Sequence, residues 1–349
     1  MGFVFSRRPG AVRPGSWLAA GALILILVGC SGDPYPQSTL HPAADMSGAI
    51  DGLYRQIFWW AVVVFVVVQT ALVVTVIRFR RRPNQPEPRH VYGNTFAEVA
   101  WTLAPAVILV FIAVPTIQTI FRVSGRAAPG ALQVEVIGHQ WWWEFRYPEL
   151  GLVTANELHL PQGREVALAI TSADVIHSFW APRLHGKRDA LPGRTTRLAF
   201  TPDSVGTFLG QCAEFCGESH ANMRLRVVVQ PAADFEAWAA RQAEGPAVDS
   251  TAALQVAGLE AFRRIRDPGQ HTCIACHAIA GVSGGVAGPN LTHVGSRQTI
   301  AGGTLPNDSV GLARWLRNAP GEKPGSLMPR IALSDDEVAA LVAYLQSRQ

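Results

Sequence analysis

Apolar residues are gathered into long uninterrupted blocks in the first third of this chain and alternate with polar ones afterwards. Two of the blocks, residues 57–77 and 99–120, each reach the roughly 20 residues that a helix needs to cross a bilayer. The first has Trp59 and Trp60 at one end and Arg78, Arg80, Arg81 and Arg82 at the other; the second carries Pro105 and Pro115. Proline inside such a helix is tolerated where neighbouring helices satisfy the freed backbone groups. The loop of residues 78–98 holds five arginines, Arg89 included, and the positive-inside rule assigns it to the cytoplasm. Everything after about residue 121 then lies outside.

A shorter apolar run, residues 17–28, follows Arg7, Arg8 and Arg13 and closes on Leu27-Val28-Gly29-Cys30. A basic region, a short apolar stretch and small closing residues describe a secretory signal over residues 1–29. The closing tetrapeptide resembles a bacterial lipobox, which makes Cys30 a candidate for lipidation. An ordinary signal, or a first membrane helix with an incidental cysteine, reads the same residues. Residues 30–56 form an external N-terminal segment, and 57–121 a transmembrane hairpin.

Beyond residue 122 the pattern changes to short strands broken by Pro and Gly, such as 132–137, 165–170 and 224–229, with alternation in the first and last. About 100 residues with many short strands fit a Greek-key β-sandwich or barrel over residues 122–231. Residues 232–253 read as a short helix and a linker through Gly245-Pro246, and 254–266 has helical spacing. Ser334-Asp-Asp-Glu337 is a capping box that opens a helix to about residue 346, so residues 254–349 form a small all-α domain.

An apolar fraction of 48% against 16% charged residues suits a membrane protein with soluble parts. The net charge of +4 is small, and no basic patch interleaved with aromatics points to nucleic acid.

The chemistry is carried by cysteine. Four of five cysteines fall in two cassettes: Cys212-Ala-Glu-Phe-Cys216-Gly-Glu-Ser-His220-Ala-Asn-Met223 and Cys273-Ile-Ala-Cys276-His277. Soft thiolates with imidazole and thioether suit copper. A disulfide between Cys212 and Cys216 would leave His220 and Met223 unexplained. A mononuclear blue-copper site needs one thiolate; two thiolates extend naturally to a binuclear centre, with His220 on one copper and His177, in Asp174-Val-Ile-His177-Ser, as the candidate for the other. His139, His159 and His185 lack a ligand partner and read as structural.

With the motifs Gly138-His-Gln-Trp-Trp-Trp143, Asp174-x-x-His177-Ser and Asp189-Ala-Leu-Pro-Gly-Arg194 beside the copper cassette, residues 50–240 resemble subunit II of haem-copper cytochrome c oxidases. The resemblance implies a cupredoxin barrel holding the binuclear copper site CuA. Its ligands would be His177, Cys212, Cys216, His220 and Met223, with Glu214 bound through its backbone carbonyl. The Glu214 carboxylate would also reach a magnesium ion at the interface with subunit I. Trp141 resembles the aromatic that receives electrons from cytochrome c; Trp142 stands where a tyrosine is common. Glu98 resembles a glutamate at the mouth of a proton channel, and read by itself is an ionisable group at a membrane boundary, functional or interfacial.

Cys-x-x-Cys-His is the attachment signature of c-type haem. A zinc ribbon would need a second ligand pair, which the chain lacks. Cys273 and Cys276 would form the thioethers, His277 the proximal iron ligand, and Met328, the one methionine after His277, the sixth. With Gly258, Phe262, Tyr344 and Gly288-Pro-Asn-Leu291, roughly the last 95 residues resemble a class I cytochrome c.

The expectation is a cytochrome-c-fused subunit II of a bacterial haem-copper terminal oxidase in the cell membrane, with its soluble part on the periplasmic side. Cytochrome c or another external donor would feed the chain. Dioxygen reduction and proton pumping would belong to subunit I, with other oxidase subunits around it. A flexible linker would tether the haem domain at raised effective concentration. A thioredoxin-like copper chaperone needs neither haem nor His220 and Met223, and a quinol-oxidase subunit II typically lacks the copper ligands.

Overall fold

The computed structural model describes residues 35–83, 87, 90, 92–247, 249–264 and 272–349. The signal and lipidation readings at residues 1–29 and Cys30, and Arg89 of the basic loop, lie outside the described residues. The chain divides into two compact units, Met1–Pro36 and Gln37–Gln349, and the helices, the β domain and the C-terminal domain all belong to the second.

Two helices come first, α1 (Asp45–Arg78) and α2 (Thr95–Val123). Their apolar windows have mean hydropathies of 2.6 and 2.1 and contain no buried residue; both helices are long and apolar enough to cross a membrane. At 34 residues α1 measures about 50 Å, well beyond the apolar run that predicted it. The extra turns form because residues 43–51 dock on the β domain. Ala43 N donates to Arg183 O at 2.7 Å and Thr201 N to Asp45 Oδ1 at 2.8 Å, which buries Ser47 and Asp51. In α2, Pro115 removes the amide that would bond the Phe111 carbonyl. Gln56 Nε2 of α1 donates to that carbonyl at 3.2 Å, so the hairpin supplies the replacement itself.

The β domain is a sandwich of two five-stranded sheets. One runs in the order β3 (Leu152–Ala155), β2 (Trp142–Tyr147), β1 (Leu132–His139), β5 (Val166–Ser172), β8 (Thr196–Phe200). The other runs β4 (Glu157–Pro161), β10 (Arg224–Gln230), β9 (Gly206–Cys212), β6 (His177–Trp180), β7 (Arg188–Ala190). The β1–β5 and β4–β10 pairs are parallel, the remaining pairs antiparallel. Alternate residues of β5 face inward, and Trp143, Phe145, Tyr147, Leu158 and Phe200 fill the space between the sheets. Helix α3 (Ala232–Ala243) lays Phe235 and Trp238 on this sandwich.

The C-terminal domain is helical. Helices α4 (Ala253–Arg263) and α7 (Asp335–Gln346) cross at Gly258, where a Cβ would lie 2.1 Å from the Ala340 carbonyl oxygen. Between them lie the single turn α5 (Cys273–Cys276) and α6 (Ser309–Glu322), the latter kinked at Asn318 ahead of Pro320. Ser334 and Glu337 form the expected capping box of α7.

The tether differs from the flexible one expected. Arg348, only 1% exposed, donates through Nη2 to Ala247 O at 2.9 Å and bonds Pro246 O, and Gln242 O meets His293 Nε2 at 3.0 Å. The reason lies at the far end of the chain: the last residues fold back and bond the linker carbonyls.

Candidate metal centre and apolar cavity

His177 opens β6, Cys212 closes β9, and the loop from β9 to β10 carries Cys216, His220 and Met223. The sulfurs of Cys212 and Cys216 are 3.7 Å apart, far beyond the roughly 2.05 Å of a disulfide. His177 Nδ1 lies 3.9 Å from the Cys212 sulfur and His220 Nδ1 lies 3.5 Å from that of Cys216. Met223 Sδ is 3.9 Å from the Cys216 sulfur, and the Glu214 carbonyl oxygen is 3.2 Å from that of Cys212. The donors form two similar halves around a central sulfur pair. His177, Cys212 and Cys216 are all buried, and their ligand atoms lie within 4.8 Å of one another. Sulfur and imidazole at these separations fit soft, closely spaced metal ions such as a copper pair.

The surroundings orient these groups. Asp174 Oδ1 holds His177 Nε2 at 2.7 Å, which turns Nδ1 toward the thiols. Gly138 makes room for that ring: a Cβ there would lie 2.7 Å from His177 Cδ2. Burial alone would pull His177 down, yet the Asp174 hydrogen bond and the Cys212 sulfur outweigh it and raise its pKa. Burial likewise opposes ionisation of Asp174, and its bonds to His177 and to the amides of Gln140 and Val175 hold it below the usual carboxylate range. The Cys216 hydrogen bond brings the Cys212 thiol down, and the same contact pushes Cys216 up, because one negative charge resists a second beside it. Binding of cations would remove that resistance.

Glu214 turns its carboxylate outward, 4.0 Å from Lys187 Nζ. Glu98 lies away from this centre at the start of α2, where Oε1 accepts from Asn94 N at 3.2 Å and completes a cap. His139 bonds Glu144 at 3.0 Å, and His159 bonds Gln230 at 3.0 Å while stacking on Trp238. His185 contacts the Gly186 carbonyl, and none of the three joins the thiol cluster.

The second cassette lines an apolar cavity of ≈ 260 Å³ that includes Cys273, Cys276, His277, Met328 and Leu312. His277 Nδ1 bonds Pro289 O at 2.9 Å, leaving Nε2 as the atom available to an iron. Gly288 permits the close approach, since a Cβ would stand 2.6 Å from His277 Cε1. Burial lowers the His277 pKa against the pull of the Pro289 bond, which favours the neutral imidazole that ligates metal. Two thiols, one imidazole and one thioether around an apolar hollow fit a covalently held haem.

Trp141 joins the two places. It lines the cavity and its Nε1 donates to Cys216 O at 2.9 Å. It is 8% exposed, covered by the C-terminal domain at Gly325. No motif pointed to Glu157 and Lys323, which hold that cover in place, nor to Arg297, which lines the cavity half-buried. An isolated acid or base in a polar stretch carries no periodic or motif signal.

Three family models match the chain. They are cytochrome c oxidase subunit II, transmembrane domain, over residues 37–119; its periplasmic domain, over 151–231; and cytochrome c, over 269–349. Cytochrome c oxidase subunit 2 of Alkalihalophilus pseudofirmus is 34% identical, across 95% of this chain and 96% of that one. The proteins of the same name from Bacillus sp. strain PS3 and Bacillus subtilis are 35% and 32% identical, covering 94% and 92% of this chain and 95% and 94% of theirs. Such similarity implies CuA copper and haem c, with which both donor sets are compatible, and a complex with oxidase subunit I. The chain belongs to the cytochrome c oxidase subunit II family and carries a cytochrome c domain at its C-terminal end.

Proposed function

We propose that this chain carries single electrons from an external donor to subunit I of a haem-copper terminal oxidase, where dioxygen is reduced to water with proton pumping. His177, Cys212, Cys216, His220 and Met223, with the Glu214 carbonyl, would hold CuA; Cys273, Cys276, His277 and Met328 would hold haem c. These groups supply one-electron redox chemistry. The protein supplies their setting. Asp174 fixes the His177 tautomer and Pro289 that of His277, and the buried His177, Cys212, Cys216 and Met223 keep water from the copper donors.

The observation that carries the reading is Trp141, which touches the haem cavity with one part and the Cys216 carbonyl with another. It is the residue through which the electron arrives, and the donor it faces is the chain's own cytochrome domain. The test is photoreduction of haem c in the purified oxidase. The CuA optical band should bleach as haem c reoxidises, and Cys212→Ser should abolish that exchange. Haem c reoxidising with no change at CuA would contradict the reading.

The rest of the reading follows from family likeness and charge pattern. Residues 1–29 are a lipoprotein-type signal with Cys30 lipidated, and 57–121 is a hairpin crossing the bacterial cell membrane. Residues 122–231 and 254–349 stand on the periplasmic side, joined by 232–253, and meet cytochrome c or another external donor. Glu98 borders a proton channel. The Glu214 carboxylate meets magnesium against subunit I, and other oxidase subunits pack around the hairpin.

A further inference from the structure

We propose that Lys323 is a positioning residue that clamps the cytochrome domain onto the copper-binding sandwich and holds Trp141 between the haem cavity and Cys216, with Glu157 as its counterpart; this rests on the electron-transfer reading above. Lys323 caps the C-terminal end of α6 and is 4% exposed. Its Nζ donates to Trp141 O at 2.6 Å across the domain boundary, and to Ala301 O at 3.0 Å within its own domain. Among the described residues no carboxylate pairs with it. A buried cation without a counter-ion is costly, and its bonds to the two carbonyls offset part of that cost. Burial accordingly lowers its pKa to about 7, with Arg224 acting in the same direction and Cys216 against.

The contact is built for one orientation. Gly302 and Gly325 both have positive φ, +69° and +74°, and both clear space at this point. A Cβ on Gly302 would lie 2.5 Å from Lys323 Nζ, and one on Gly325 would lie 2.8 Å from Trp141 Cη2. The hold is returned from the sandwich side. Glu157 is 2% exposed, and its Oε1 accepts from Gln298 N at 2.7 Å and Thr299 N at 3.1 Å. Ser219 Oγ on Pro324 O at 2.5 Å and Arg224 N on Gly302 O at 2.9 Å complete the seam. Each of these buried side chains grips backbone of the opposite domain, so the clamp fixes position as well as proximity. Lys323 bears on the electron path through Trp141, whose carbonyl it binds and whose ring bonds Cys216.

The test is the first-order rate of haem c to CuA electron transfer in the whole oxidase after photoreduction, in wild type, Lys323→Met and Glu157→Ala. Each substitution leaves buried backbone partners unpaired, so each should slow the transfer about tenfold. Haem c absorption and the CuA resonance should stay unchanged, which a general loss of folding would not allow. Amide exchange at Gln298 and Thr299 should quicken in both variants. An unchanged rate in both would overturn the proposal. So would loss of haem c in Lys323→Met, which would make the lysine a folding element of its own domain. Absence of transfer in wild type would instead strike the electron-transfer reading.

Discussion

Asp174 shows how a residue outside the donor set controls it. It binds His177 Nε2 at 2.7 Å and the Gln140 amide at 2.6 Å, so one carboxylate orients the ligand and ties down the strand end that leads to Trp141. Asp174→Asn should weaken copper retention about tenfold to hundredfold, read by competition with a copper chelator. His159 makes a prediction about acid. Burial between Trp238 and the sandwich, opposed by the Gln230 bond, lowers its pKa to about 4. The folded state keeps it neutral where the unfolded chain takes up a proton, near pH 6.5. Stability is therefore full above about 6.5 and falls as pH drops toward 4, by about 3 kcal/mol in all. His159→Gln should flatten the acid side of the domain's thermal midpoint plotted against pH. At this scale the sulfur and imidazole cluster was legible because four of its members lie within twelve residues. His177 needed the demand for a second imidazole to find it. Lys323 and Glu157 were not legible at all, since only tertiary packing buries them.

Among the elements, the strand alternation and the α7 capping box appear as the sequence predicted, within a residue or two of the expected bounds. The start of α1 does not. Residues 45–56 carry too little apolar character to announce a helix, and they form one because Asp45 bonds Thr201 N and Ile50 lies against Gly186 of the sandwich. The helix crossing at Gly258 was legible only as a family resemblance, and the geometry explains the glycine. Gly258→Ala would drive a methyl into the Ala340 carbonyl and force α4 away from α7. The expected cost is about 1–3 kcal/mol, seen as a lower thermal midpoint and a smaller fraction of chains carrying haem. In the hairpin, Gln56→Leu would leave the Phe111 carbonyl unpaired. It should cost about 1 kcal/mol, measured as a lower detergent-unfolding midpoint of the assembled oxidase.

Over the whole molecule, two cassettes read separately in the sequence share one tryptophan. Motifs announce what each domain can bind but not how the domains meet, because docking depends on residues with no pattern: Arg348 on the linker, Glu157 and Lys323 on the seam. The consequence is that Trp141, which resembles the aromatic that receives electrons from cytochrome c, is covered from within the same chain. A soluble donor should therefore reduce Trp141→Phe oxidase at haem c as fast as wild type, with the delay appearing only at CuA in stopped-flow traces. The proposed electron transfer through this chain stands on the sulfur pair at 3.7 Å with an imidazole on either side. Electron paramagnetic resonance of the oxidised oxidase tests it most directly. One unpaired electron shared equally by two copper nuclei, and lost in Cys216→Ser, is the predicted result; a spectrum from a single copper, or one that survives the substitution, would contradict it.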